Sequence, residues 1–112
     1  MPDLPIGPGG AVKGLKGSYS LYKAIAKDGK TYWGITKNIA QRAKQHGDRF
    51  PKGLNEVYIG VSKNVAVARG LEQMKIDQYG LKNLDNAINS IGTNNPKLMQ
   101  YYQDAIRYLN GL

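Results

Sequence analysis

Two runs in the first third of the chain alternate apolar and polar residues with the period of a β-strand, residues 19–25 and residues 31–35. The pair Asp28-Gly29 lies between them and is a strong β-hairpin signal. Val57, Ile59 and Val61 alternate in the same way and predict a third strand. We therefore expect a small antiparallel sheet.

The length of the hairpin loop decides which side chains share a face of this sheet. A two-residue turn would place Tyr22 and Tyr32 on opposite faces, whereas a three-residue loop over residues 27–29 pairs Tyr22 with Gly34 and places both tyrosines on one face. We predict the three-residue loop, because it collects the apolar side chains on the other face: Leu21, Ile25, Trp33 and Ile35. The two tyrosines should then flank a depression whose floor is Gly34.

Helical signals follow the hairpin. Asn38 is a good N-cap for a short helix that ends near Gly47, and a second helix is predicted over residues 64–79 with Gly80 as its C-terminal stop. A proline opens a C-terminal helix over residues 96–110, with an apolar stripe formed by Leu98, Tyr102, Ala105, Ile106 and Leu109. The predicted fold class is α+β, a three-stranded antiparallel sheet flanked by helices with an amphipathic C-terminal helix.

Composition narrows the class of protein. The first ten residues hold three prolines and three glycines, so residues 1–16 are interpreted as a flexible linker and residues 17–112 as a single domain. The chain has no cysteine and one histidine, which excludes disulfides and any thiolate- or histidine-built metal site. It has no apolar run of about 20 residues and no signal-peptide pattern, so we expect a soluble domain.

Charge points to a polyanionic partner. Sixteen Lys and Arg against eight Asp and Glu give a formal net charge of +8. Residues 1–64 carry eleven of these basic and four of these acidic side chains, so the surplus lies almost wholly in the first half of the chain. A nucleic acid is the partner that this distribution favours, with Lys23, Lys37, Lys44 and Arg49 as the expected phosphate contacts.

Several side chains that are capable of catalytic chemistry occupy positions that suit a functional site. Two tyrosines share the hairpin, Arg42 and His46 share one face of the first helix, and Glu72 projects from the apolar side of the second. Phosphodiester cleavage needs three kinds of group: a carboxylate that binds a hard cation, a cation that stabilises the charged transition state, and a group that accepts or donates a proton.

The order of these residues resembles the motifs of the GIY-YIG nuclease family. The resemblance rests on SLY at residues 20–22, YWG at residues 32–34, Arg42 and His46 at their spacing from the second tyrosine, and the later Glu72 and Asn86, and it covers roughly residues 18–92. Serine and leucine replace the glycine and isoleucine of the first motif, and Trp33 replaces an aliphatic residue in the second. The ending, with NAINSI and a further helix, is similar to nuclease domains at the C-termini of polymorphic bacterial toxins.

The resemblance implies a role for each matching residue. Tyr22 would be the general base or the group that orients the attacking water, and Tyr32 would line the site. Arg42 would contact the scissile phosphate, His46 would assist proton transfer or phosphate binding, and Glu72 would be the sole protein ligand of one Mg²⁺ or Mn²⁺ ion.

The remaining assignments stay open at this stage. Asn86 would brace the site by hydrogen bonding, with Asn89 as the competing candidate. The substrate could be DNA or RNA, and the toxin resemblance implies delivery as part of a larger protein into a target cell and a cognate acidic immunity protein. The alternative is a non-catalytic basic domain that binds nucleic acid, or a module whose basic face meets an acidic protein. In that case the tyrosines would be packing residues and Glu72 would form an internal salt bridge.

Overall fold

The computed structural model describes residues 18–62, 64–86 and 91–111. This part of the chain forms an antiparallel sheet of three strands, β1 (Tyr19–Ile25), β2 (Thr31–Thr36) and β3 (Leu54–Ser62), in the order β2-β1-β3, with three α-helices, α1 (Ile39–His46), α2 (Val65–Tyr79) and α3 (Leu98–Asn110). The predicted α+β fold is confirmed. The predicted linker, residues 1–16, lies outside the described residues. No helix in the described ranges has the length and apolar character needed to cross a membrane.

The hairpin has the three-residue loop that the apolar pattern predicts. The Ala26 N–H donates to the Lys30 carbonyl and the Gly29 N–H donates to the Ala26 carbonyl, each at 2.9 Å. Gly29 has a φ of 87°, a conformation that costs glycine little. This loop sets the register in which Tyr22 pairs with Gly34.

The segment after α1 contains a 3-10 turn and the start of the third strand. A 3-10 turn, Gly47–Arg49, continues directly from α1, and β3 begins at Leu54, three residues before the first residue of the alternating pattern. Asn55 and Leu54 pair with β1, so strand pairing rather than side-chain alternation fixes this boundary. The pairing of β1 with β3 also contains register irregularities around Leu21.

Side-chain caps explain where α1 and α2 begin. The Asn38 side-chain oxygen accepts the Gln41 backbone N–H at 3.0 Å, and the Asn64 side-chain oxygen accepts the Ala66 N–H at 2.9 Å. Gly80 closes α2 with a φ of 84°. Both helices therefore begin where the sequence predicts.

The C-terminal helix begins two residues later than predicted, at Leu98. Asn95 explains the difference, because its side chain accepts the Lys97 N–H and its carbonyl accepts the Leu98 N–H, which places the proline in a turn before the helix. The predicted apolar stripe is also too wide. Ile106 is 47% exposed, while Ala105 and Leu109 are buried.

The main core lies between the sheet and α2, with α3 packed on α2. It is formed by apolar side chains from all of these elements, including Leu21, Trp33, Leu71, Ile76 and Leu109. The opposite face of the sheet carries a smaller cluster in which Ala24, Ala26 and Phe50 are buried. The second face of the sheet is therefore covered by the segment that follows α1.

Gly70 sets the distance between α2 and α3. A Cβ atom at this position would overlap the Tyr101 carbonyl oxygen and the Ala105 methyl group. We expect Gly70→Ala to destabilise the domain by about 1–3 kcal/mol by overpacking, although alanine favours helices. Urea unfolding measures the change. Gly92→Ala is the matched control, since nothing lies within 4 Å of its Cβ position, and an equal loss in both variants would contradict the close packing.

Candidate functional site

The hairpin presents Tyr22 and Tyr32 on the face of the sheet that lies opposite α2. The Tyr22 ring lies directly over Gly34, where a Cβ atom would overlap its Cζ and hydroxyl. The depression expected between the tyrosines is therefore filled by the Tyr22 ring, which is only 1% exposed. Gly34 is required here because only a residue without a side chain leaves room for that ring.

The two tyrosines belong to an aromatic cluster. The Tyr22 and Tyr32 ring centroids are 6.0 Å apart, and the His46 ring stands edge-on to Tyr32 at 5.5 Å and to Phe50 at 4.8 Å. His46 arrives from the last residue of α1, and Phe50 follows the 3-10 turn. Phe50 was not among the predicted site residues; the only signal in the sequence is that the single phenylalanine of the chain lies in an otherwise polar segment.

Tyr22 and His46 are hydrogen-bonded, with 3.1 Å between the Tyr22 hydroxyl and His46 Nε2. Burial is the main cause that raises the pKa of Tyr22 far above its ordinary value, and the neighbouring Tyr32, through its charge and a side-chain hydrogen bond, raises it further. Burial also lowers the pKa of His46, as do the Arg49 and Arg42 cations. Both side chains are therefore neutral near pH 7.

The Tyr22–His46 hydrogen bond has a direction set by the tautomer of the imidazole. With the proton on Nε2, the imidazole donates to the Tyr22 oxygen and keeps its lone pair on Nδ1. With the proton on Nδ1, the Tyr22 hydroxyl donates to Nε2.

Arg42 and Glu72 bring opposite charges to the same phenol. Arg42 is close enough to lower the pKa of Tyr22, and Glu72 is close enough to raise it. Arg42 lies one turn before His46 on α1, and its Nε is buried without a hydrogen-bond partner among the described residues. Glu72 is half-buried between Ala68 and Ile76, which are fully buried on α2. A cation and a carboxylate thus act with opposite sign on the Tyr22 phenol.

Arg49 is exposed, but several contacts with the protein hold its guanidinium. Its Nε and Nη2 donate to the Asp85 carboxylate and carbonyl at 2.9 and 3.0 Å. Its guanidinium lies over the Tyr32 and Phe50 rings at 4.7 and 5.0 Å. Arg49 therefore connects the aromatic cluster to the segment after α2, and the phosphate contact expected of it stays a prediction.

Asn86 braces strand β2. Its side-chain oxygen accepts the Trp33 N–H at 3.0 Å, and its Nδ2 donates to the Trp33 carbonyl at 2.7 Å. An amide side chain thus satisfies both backbone groups of one residue at the sheet edge. Asn86 acts through the backbone between Tyr32 and Gly34, and the competing candidate Asn89 lies outside the described residues.

The other predicted phosphate contacts occupy three different places. Lys23 alternates with Tyr22 along β1, so it belongs to the opposite face of the sheet. Lys44 is exposed on α1. The Lys37 ammonium lies 5.1 Å above the Tyr19 ring. Lys37 and Arg42 line the same cavity.

That cavity is a cleft of about 380 Å³ where the end of β2 meets α1 and α2. We call it the α1–α2 cleft, and its polar lining includes Tyr19, Lys37, Gln41, Arg42, Gln45 and Arg69. Gln45 and Arg69 were not predicted from the sequence. Neither residue has a distinctive motif, and the cleft exists only because two helices separated in sequence meet there.

Glu72 is the residue that the family resemblance would make a metal ligand. No group of three or more His, Asp or Glu side chains converges in the ranges 18–62, 64–86 and 91–111. Mg²⁺ commonly retains several waters and takes one or two carboxylates, and a site with Glu72 as its sole protein ligand stays a prediction.

Comparison with the protein-family models, the curated proteins and the solved structures gives no significant match to this chain. The interpretation of this site therefore rests on the chemistry of its residues.

Proposed function

We propose that this chain is a metal-dependent endonuclease domain of the GIY-YIG type that hydrolyses phosphodiester bonds of DNA or RNA. The observation that carries the proposal is the hydrogen-bonded Tyr22–His46 pair, on which Arg42 and Glu72 act with opposite charges. Binding alone would not require a half-buried carboxylate beside a phosphate site, whereas hydrolysis uses one.

His46 is the proton acceptor in this proposal. Its Nδ1 takes a proton from the attacking water while its Nε2–H stays donated to the Tyr22 oxygen, which orients the ring and stabilises the imidazolium that forms. The hydroxide oxygen bonds to phosphorus, the bond from phosphorus to the leaving oxygen breaks, and solvent protonates that oxygen.

In this proposal, Arg42 and an ion held by Glu72 would offset the negative charge of the phosphate group. Arg42 lines the α1–α2 cleft, from which its guanidinium would face the negative charge that develops on the phosphate oxygens. Glu72 would hold one Mg²⁺ or Mn²⁺ ion, which when bound supplies further positive charge at the phosphate.

The direct test is cleavage of plasmid DNA and of total RNA by the purified protein, with Mg²⁺ and with a chelator. Cleavage that needs the metal supports the proposal. Binding without cleavage of either polymer would favour the alternative, a non-catalytic nucleic-acid-binding domain, which the net charge of +8 also supports.

The toxin resemblance adds a finer proposal about biological context. Delivery of the domain into a target cell, with an acidic immunity protein bound before delivery, is consistent with the basic surplus in the first half of the chain. Co-purification with an acidic protein whose addition stops cleavage would support it.

Arg42→Ala should reduce turnover much more than substrate affinity, because a donor aimed at developing charge acts mainly in the transition state. We expect a loss of about 10²–10³ in kcat. Lys44→Ala is the control on the same helix and should weaken binding with little change in kcat. Single-turnover rates and anisotropy titrations separate the two effects, and equal affinity losses without a turnover defect would make Arg42 a generic phosphate contact.

The pH dependence should report His46. Its pKa is lowered from 6.5 by burial and by Arg49 and Arg42, and only the neutral ring accepts a proton. The acidic decline in cleavage should therefore have its midpoint below pH 6.5. Arg49→Gln removes one cation and should move this midpoint to higher pH, whereas Lys52→Gln should not. A kcat/KM profile with its midpoint above pH 6.5 in the unmodified protein would contradict the assignment.

A further inference from the structure

The α1–α2 cleft is a second feature of the described residues that suits a nucleic acid. At about 380 Å³ it lies near the lower end of the roughly 300–1,000 Å³ range of small-molecule sites. Such a space holds one nucleotide and is far too small for a base pair stacked in a duplex.

The cleft walls carry the three kinds of group that bind a nucleotide. Lys37, Arg42 and Arg69 supply positive charge for phosphate oxygens. The amides of Gln41 and Gln45 can each donate to and accept from a base edge. Aromatic surface for stacking comes from Tyr19, beneath the Lys37 ammonium.

The cleft is continuous with the proposed catalytic centre. Arg42 belongs to both, Gln45 directly precedes His46 on α1, and Arg69 lies one turn before Glu72 on the same side of α2. A strand that places its scissile phosphate at Arg42 would therefore place a neighbouring nucleotide between α1 and α2.

We propose that the α1–α2 cleft takes one unpaired nucleotide adjacent to the scissile phosphate, so that the substrate is single-stranded nucleic acid or an unpaired loop. This inference rests on the proposed nuclease function for the position of the scissile bond. Its physical reason is that a base must leave its partner and its stack to enter a cleft of this size, which an unpaired strand does at little cost.

Binding to Glu72→Gln protein tests the cleft without hydrolysis. The probes are fluorescein-labelled RNA and DNA hexanucleotides of one sequence and a blunt DNA hairpin whose six-base-pair stem is closed by a non-nucleotide linker, so that it has no unpaired nucleotide. Binding is measured by anisotropy at about 150 mM salt. We expect the hexanucleotides to bind at least tenfold more tightly than the hairpin. The RNA and DNA arms show which sugar the cleft prefers.

Variants assign that binding to the cleft. In the Glu72→Gln background, Arg69→Ala and Gln45→Ala should each weaken hexanucleotide binding, Arg69→Ala by tenfold or more. The matched controls Lys82→Ala and Gln103→Ala, both exposed and away from the cleft, should change it less than twofold. Equal losses in cleft and control variants, or a hairpin that binds as tightly as the hexanucleotides, would overturn the proposal.

Cleavage measured in parallel distinguishes the two proposals. If the unmodified protein cuts no polymer while the cleft variants still lose hexanucleotide binding, the nuclease function fails and the cleft remains a binding site. If cleavage is normal, prefers duplex and is unaffected by Arg69→Ala, the cleft proposal fails and the nuclease function stands.

Discussion

Glu72→Gln should abolish cleavage while leaving the fold intact. The substitution keeps the shape of a half-buried side chain on α2 and removes only the charge that would hold a divalent ion. We expect cleavage to fall below detection with both Mg²⁺ and Mn²⁺, circular dichroism to be unchanged, and calorimetric Mn²⁺ binding to be lost. The binding measurement separates a lost metal ligand from a lost substrate contact.

Glu56→Gln is the matched control, since Glu56 is the other glutamate of the chain and is also half-buried. It should retain cleavage and Mn²⁺ binding. Full cleavage by Glu72→Gln with an unchanged metal requirement would remove Glu72 as the ligand and return it to the role of an internal charge partner.

Tyr22→Phe should reduce single-turnover cleavage by about 10²-fold or more, within the usual range of general acid-base contributions. The substitution deletes the oxygen that, in the proposed mechanism, is the acceptor for the His46 Nε2–H, and it keeps the ring that packs over Gly34. Without that acceptor the imidazole loses its orientation and the partner for its developing charge. The free energy of unfolding should fall by only about 1 kcal/mol, the net value of one hydrogen bond.

Two further variants define the role of Tyr22. Tyr108→Phe removes a hydroxyl from another partly buried ring and should leave cleavage unchanged. Gly34→Ala keeps the Tyr22 hydroxyl but forces the ring away from its place, so it should be as inactive as Tyr22→Phe. Normal turnover in Tyr22→Phe would make Tyr22 a packing residue only.

The hairpin shows which features could be predicted from the sequence. Its register depends on one loop and one alternating pattern, both local, and the structure has the predicted pairing of Tyr22 with Gly34. The caps at Asn38 and Asn64 are equally local. Sequence reasoning works at these places because the interactions that decide them are made within a few residues.

The arrangement around the aromatic cluster could not be predicted in the same way. Nothing near Arg49 in the sequence indicates that Asp85 holds it, since the two residues lie 36 positions apart. Tyr22 is hydrogen-bonded to His46, 24 positions away, and Phe50 packs against Tyr32 and Leu54 on the same face of the sheet. The positions and protonation states of the site residues therefore follow from tertiary contacts.

Two consecutive residues, Asp85 and Asn86, connect the hairpin to a distant part of the chain. One pairs with Arg49 and the other with the Trp33 backbone, 53 residues away. Contacts of such long sequence separation form late and slowly. A nascent chain that ends between Glu72 and Asp85 carries the tyrosines, Arg42, His46 and Glu72 of the proposed site but lacks both contacts, so we expect the hairpin and Arg49 to be held in place only after Asp85 and Asn86 have been synthesised.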